Sequence, residues 1–339
     1  MTFTPEISSV NQRTQIGAES TIGTPVAATK LLECFTWTYG INADVSMFGA
    51  SGHKYDETQE ENFEESTMEA SGNLDFNGIL YPLSSVMGAV TPVTHLASAT
   101  AKDWIFTPPI TGSVAPQTYT LMQGDAVRAR SFPYGLFNSF GYKGTRKTPF
   151  TVSAKGFGQA MTDGISLTAS PTAIPLSPVV GKFFDIWLDT TSGGLGTTLL
   201  TRCFSIDYSF DNVYAPFYPI NRSNASFTGH VDLKPKPTLK IKLATDAVGL
   251  ASMQTTYLQQ GSTAYIRIQA LGNQIASDGP GSIKATYTHD MACKVGKPST
   301  FGDDQGIYTA EWELTIIEDP LWNSGQAQTV TVTNLITAL

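Results

Sequence analysis

Four histidines, three cysteines and two glycine clusters are the residues of this 339-residue chain whose types could support chemistry. His53, His95, His230 and His289 stand apart, and none has a second His or Cys at metal-ligand spacing, so they read as surface or strand histidines. Cys34, Cys203 and Cys293 form no CxxC pair, which signals neither a zinc site nor a disulfide framework. They read as buried or half-buried thiols made in a reducing compartment. Gly156-Phe157-Gly158 and Gly193-Gly194-Leu195-Gly196 complete neither a dinucleotide fingerprint nor a phosphate loop. The second cluster reads as the turn of a hairpin between Phe183–Leu188 and Leu199–Phe210. No GxSxG elbow occurs, and no carboxylate pair is singled out for acid–base work. The expectation is a chain that is not an enzyme, with no catalytic, cofactor-binding or metal residue to nominate.

Charge supplies the remaining candidates. Charged residues are 15% of the chain, below the ~25% of ordinary soluble domains. Net charge is −8 and both halves are acidic, which argues against tight nucleic-acid binding by counterion release. The stretch Asp56–Glu69 holds seven acids and no base. It reads either as a solvated loop or as a contact arm toward another subunit, formed by Asp56, Glu57, Glu60, Glu61, Phe63, Glu64, Glu65 and Glu69. Phe63 and Met68 favour the contact arm, because a purely solvating loop has no use for them. Arg128 with Arg130, and Arg146 with Lys147, read as solvated residues or as partners for acids on a neighbour.

These residues must be positioned by strands. Period-2 alternation recurs at Phe35/Trp37/Tyr39, Phe150/Val152/Ala154, Phe204/Ile206/Tyr208/Phe210, Leu239/Ile241/Leu243, Ile266/Ile268 and Tyr308/Ala310/Trp312/Leu314/Ile316, each with a polar opposite face. Such strands bury one face and leave the other to water. Helical patterning is thin, with one candidate per half at Gly78–Val90 and Thr245–Leu258. Residues 1–30 lack either period and read as an extended arm lying on a neighbouring subunit, with no secretory leader at the start. No apolar run approaches the ~20 residues of a membrane helix.

Cys34-Phe35-Thr36-Trp37-Thr38-Tyr39 recurs as Cys203-Phe204-Ser205-Ile206-Asp207-Tyr208, about half the chain length later. This suggests one β module duplicated and fused. Residues 31–170 then form the first module, 171–178 a proline-bearing linker, and 179–339 the second module. Matching Gly72-Asn73-Leu74-Asp75 to Gly229-His230-Val231-Asp232 gives the first half about a dozen extra residues, placed in an acidic loop at 56–69.

The pattern resembles the tail tube proteins, or major tail proteins, of bacteriophages with long non-contractile tails. The residues that carry it are Gly17–Thr29, the block Gly72–Leu83 ending Ile79-Leu80-Tyr81-Pro82-Leu83, and Tyr308–Ile317 with Glu318-Asp319. The resemblance implies a mainly β fold of two tandem tail-tube-like sandwich or barrel modules, each with a short flanking helix. It implies a structural virion protein whose stacked rings form the conduit for double-stranded DNA. Rings would be homotrimers with pseudo-sixfold symmetry, or alternatively hexamers. Implied partners are further copies of the chain, a tape measure protein, a tail terminator and a distal tail protein. DNA would pass transiently, without a membrane partner, and the implied location is the virion tail after synthesis in the host bacterial cytoplasm. A lumen of acids and hydroxyls would repel DNA weakly. The polar faces bearing Asp207 and Asp211, and Glu311 and Glu313, either line that lumen or are ordinary outer faces, with Lys240 and Lys242 opposing a uniformly acidic lining. The alternatives are a β-sandwich binding glycan or a host surface through Trp104, Trp322, Tyr214, Phe217 and Tyr218, or a capsid or decoration protein.

Overall fold

The computed structural model describes residues 9–339 except 97, 126, 221–224, 278–281 and 299; the first eight residues of the expected arm lie outside the described ones. The fold is mainly β with two helices. The first half contributes β1 (Arg13–Ala18), β2 (Lys30–Leu31), β3 (Phe35–Phe48), β4 (Thr58–Asn73) and α1 (Leu80–Val86). It continues with β5 (Val93–Thr94), β6 (Lys102–Phe106), β7 (Tyr119–Gly124), β8 (Ala129–Thr145), β9 (Thr151–Gly158) and β10 (Thr162–Ile165). The expected linker carries the two-residue strand β11 (Thr172–Ala173). The second half contributes β12 (Phe184–Asp189), β13 (Cys203–Phe210), β14 (Tyr214–Phe217), β15 (Gly229–Asp232) and β16 (Thr238–Ala244). After α2 (Ala247–Gln259), a helical segment with wide π-type turns, come β17 (Ala264–Ala276), β18 (Ile283–Pro298), β19 (Gly302–Asp304), β20 (Ile307–Ile316) and β21 (Gln328–Asn334).

The pairing order of one half repeats in the other. In the first, β8 has β7 and then β1 on one side. On its other side lie β10 and β9, followed by β4 and β3. In the second, β18 has β17 and then β12 on one side, and β21 and β20 on the other, followed by β16 and β13. Each helix follows the strand next to β3 or β13 in the ladder, namely β4 and β16. The two sets join edge to edge. Beyond the β7 contact, Phe140–Thr145 of β8 pair antiparallel with Ser205–Phe210 of β13, so β3-β4-β9-β8-β13-β16-β20 is one continuous ladder. A glycine is needed at this seam, because a Cβ on Gly141 would lie 2.8 Å from the Tyr208 carbonyl oxygen.

Side-chain alternation explains why the ladder holds. Trp37, Ala70, Ala154, Phe140, Ile206, Ile241 and Trp312 all fall on its covered face and are buried. Helix α1 lies on that side, with Leu80, Tyr81, Leu83 and Val86 inside the core. Asp75 pins its start: one carboxylate oxygen accepts from the Asn77 and Gly78 amides at 2.9 Å, and the other accepts from the Ser177 amide in the linker. The linker is thereby tied to the helix start, with Ile174 buried and most of its other residues exposed.

Three expectations change here. The segment read as an arm is built into its own chain from Arg13 onward: β1 pairs with β7, and Glu19 is buried, accepting from Gly23, Thr118, Thr120 and Tyr134. The acidic stretch is not a loop. From Thr58 it is strand β4, paired with β3 out to Phe48, because backbone pairing holds it where its side chains supply no apolar alternation. The expected dozen-residue insertion is absent there, since β16 and not β15 takes the place of β4. The first half's extra residues lie instead at 87–118, between α1 and β7, and include β5 and β6. There β6 pairs with β21 and so extends the second half's sheet.

Candidate assembly surface

The uncovered face of the ladder is polar across both halves. Thr36, Ser71, Ser153, Asp207, Lys240, Glu311 and Glu313 all point outward from strands whose alternate residues are buried. The four residues read as lumen candidates come together here: Asp207, Asp211, Glu311 and Glu313 are all exposed on or beside this face. The face is not acidic, however. Register places Lys143 and Lys240 on either side of Asp207, Lys240 opposite Glu313, and Lys242 opposite Glu311. Lys155 meets Glu69 at 3.5 Å and Lys242 meets Asp304 at 3.0 Å. Like charges directly across a ladder destabilise it and opposite charges support it, which accounts for the alternation. A shallow groove of 580 Å³ follows the seam, lined by Asn73, Lys143, Ser153, Asp207 and Asp211 among others.

Beneath the seam lies a buried aromatic and polar cluster. The Tyr142 and Tyr208 rings stack with centroids 5.1 Å apart, and His289 meets Tyr208 edge-on at 4.7 Å. A neutral imidazole satisfies every bond: Nε2–H donates to Gln328 Oε1 at 3.1 Å, while Nδ1 accepts from the Tyr142 hydroxyl at 2.9 Å. Tyr208 donates to the same amide oxygen at 2.8 Å. Burial lowers the His289 pKa to about 3, so the ring stays neutral at ordinary pH. This cluster ties β8 and β13 to β18 and β21. Sequence reading missed it because its members are scattered through the chain; the one available signal is that Tyr142, Tyr208 and His289 each occupy strand patterns.

The acidic candidates divide into two groups. Near the base of the β3–β4 hairpin, Glu69 pairs with Lys155, and Glu65 accepts from Asn42 at 2.7 Å and from the Tyr218 hydroxyl. Glu64 accepts from the Met161 amide at 3.2 Å, and the Phe63 ring lies 5.3 Å from Tyr218. These four residues therefore make contacts within their own chain. Toward the tip, Asp56, Glu57, Glu60 and Glu61 are exposed, with Glu57 touching His53. Val45, Met47 and Phe48 on β3 are exposed beside them, and Ile41 is exposed nearer the base, opposite Ser66.

The other residues with chemical potential have structural surroundings. His95 faces Asp103 at 2.9 Å and His230 faces the Tyr134 hydroxyl at 2.9 Å. Burial raises the pKa of all three thiols, that of Cys203 to about 12, so none is an activated nucleophile. Arg128 pairs with Asp163, with Arg130 3.8 Å from the same carboxylate, so these arginines find their acid within the chain. Among the described residues no three His, Cys, Asp or Glu gather as a metal site, and no helix is long and apolar enough to cross a membrane. Of the aromatics considered for glycan recognition, Trp104, Trp322 and Tyr214 are buried in the chain; Phe217 and Tyr218 are exposed. No family model matches the chain, and no curated protein is similar to it.

Proposed function

We propose that this chain is the structural unit of a phage-type tail tube, in which copies form rings that stack into a conduit for double-stranded DNA. The observation that carries the reading is the repeated strand order, with the two sets already joined edge to edge into one ladder. A set that binds a second set this way, yet ends in strand edges that no described strand covers, is suited to polymerise until a ring closes and satisfies them. The repeated order also supports a duplicated two-module chain, so that three copies supply six modules. The uncovered polar face would then line the lumen. Its opposed charges leave little net field to hold phosphates, so passing DNA would meet neither a basic trap nor a strong barrier.

Negative-stain microscopy of the purified chain tests the reading. Stacked rings or tubes with a central hole are expected. A monodisperse monomer at all concentrations overturns it.

A further inference from the structure

Residues 107–118 form a strap that crosses from β6, in the second half's sheet, to β7 in the first half's. Pro108, Pro109 and the left-handed Gly112 (φ +83) keep the strap out of any ladder. Facing it, the second hairpin turns away from its sheet before Pro235 and Pro237. The Val114 amide donates to the Asp232 carboxylate at 3.2 Å and ties strap to hairpin. Neither segment fills the space between them, and a cavity of 520 Å³ remains. Its buried walls are Val86, Phe210, Val213 and Ile316, and Pro109 and Ile110 line it from the strap.

One buried polar side chain lines this cavity. Gln328 is only 3% exposed, and its Oε1 already accepts from Tyr208 and His289. Those two bonds fix which way the carboxamide points. Its Nε2–H groups are left with no partner among the described residues. A buried donor without an acceptor is costly, so the site calls for an oxygen there. The charged residues of the lining, Asp232, Lys234 and Glu318, are all exposed. A charge carried deep into the cavity would therefore meet no counter-ion. The volume falls within the ~300–1,000 Å³ of small-molecule sites, which join apolar walls to a few placed polar groups. We infer that this cavity binds a small, neutral, largely apolar molecule bearing a carbonyl oxygen. The oxygen accepts from Gln328 Nε2, and the apolar body packs against Phe210, Val213 and the strap. Such a site is complete in a single copy of the chain, whether or not rings form.

The test titrates the full chain against 6-propionyl-2-(dimethylamino)naphthalene, a ketone whose emission moves to shorter wavelength in apolar surroundings. Saturable, blue-shifted emission is expected. Ala327→Phe, which fills the cavity from its wall, should weaken binding by about tenfold or more. Val114→Phe, on the strap, serves if that protein does not fold. Two competitors of one shape, 2-propionylnaphthalene and 2-propylnaphthalene, then read the carboxamide. In Gln328→Met the ketone's affinity relative to the hydrocarbon's should fall about tenfold, because only the ketone uses Nε2–H. Gln328→Glu, which keeps an acceptor for Tyr208 and His289, stands in if the methionine variant unfolds. Emission that stays unshifted leaves the cavity to water and overturns the site. Emission that the filled cavity leaves intact places the probe elsewhere and overturns it too. An affinity ratio that survives loss of the carboxamide overturns the carbonyl ligand.

Discussion

The two long hairpins occupy the same place in the two ladders but are shaped and used differently. The first, β3–β4, runs unbroken from Phe35 to Asn73 around its turn. The second is broken into β13–β16 and β14–β15, at Asn212 with φ +56 on one strand and before Pro235 and Pro237 on the other. Breaking lets its outer part dock back onto the first half. Phe227 is fully buried with its ring 4.9 Å from Tyr134 and 5.2 Å from Phe157, and the Tyr214 hydroxyl donates to the Ser85 carbonyl at 2.9 Å. The outer part of the first hairpin instead exposes Met47 and Phe48. The second hairpin buries Phe227 and Tyr214 while leaving Phe217 and Val231 exposed, and the first leaves its outer apolar side chains uncovered by its own chain.

The largest way to break the comparison is Phe227→Ala. Removing a fully buried ring should cost about 3–5 kcal/mol, read as a lower denaturant midpoint. An effect under about 1 kcal/mol would show that the second hairpin is no better anchored than the first. Next comes the seam that the second hairpin flanks. Because the folded chain holds His289 neutral, its contribution to stability is complete above the ordinary value of 6.5 and is lost as pH falls toward about 3. Stability from this group should decline by about 1.4 kcal/mol per pH unit across that window, and His289→Asn should flatten the acid limb of a chemical-denaturation series. Parallel acid limbs in the two proteins would remove the histidine from the account.

Smaller effects sharpen the contrast in shape. Asn212→Val places a β-branched residue in left-handed backbone and should cost about 1–2 kcal/mol in thermal unfolding, whereas a backbone that relaxes to the straight form of β3 would tolerate it. The smallest effect should come from Met47→Ser. On the exposed hairpin it should shift the monomer's stability by about 0.5 kcal/mol or less. The same change should weaken self-association in sedimentation. A large loss of monomer stability would mean that the hairpin packs within its own chain after all.

What could be read in the sequence follows from what makes strands visible. The alternation through Ile206, Tyr208, Leu239, Ile241, Trp312 and Leu314 marks buried faces, and the structure buries all six. Helix α1 falls within its expected span, and α2 overruns its own by one residue, ending at Gln259. Strand β1 was invisible because Thr14 and Gln15 are buried polar residues; Gln15 is satisfied through Thr168, with both bonds at 2.9 Å. The outer part of β4 was invisible because it is polar on both faces. The glycine landmark misled because Gly72 and Gly229 lie in strands with different neighbours, which only the ladder reveals. The polar face could be guessed strand by strand, yet the alternation of sign across it depends on register and had to await the pairings.

Strand β6 carries a consequence for how the molecule is made. It pairs with β21, and the Trp104 indole donates to the Ile336 carbonyl, 232 residues further along. Closing so distant a contact is entropically slow. During synthesis, β6 waits for its neighbour until nearly everything between them has left the ribosome. The early half therefore cannot finish alone, and partly made chains carry a strand paired only with short β5, leaving open an edge of the kind that favours aggregation.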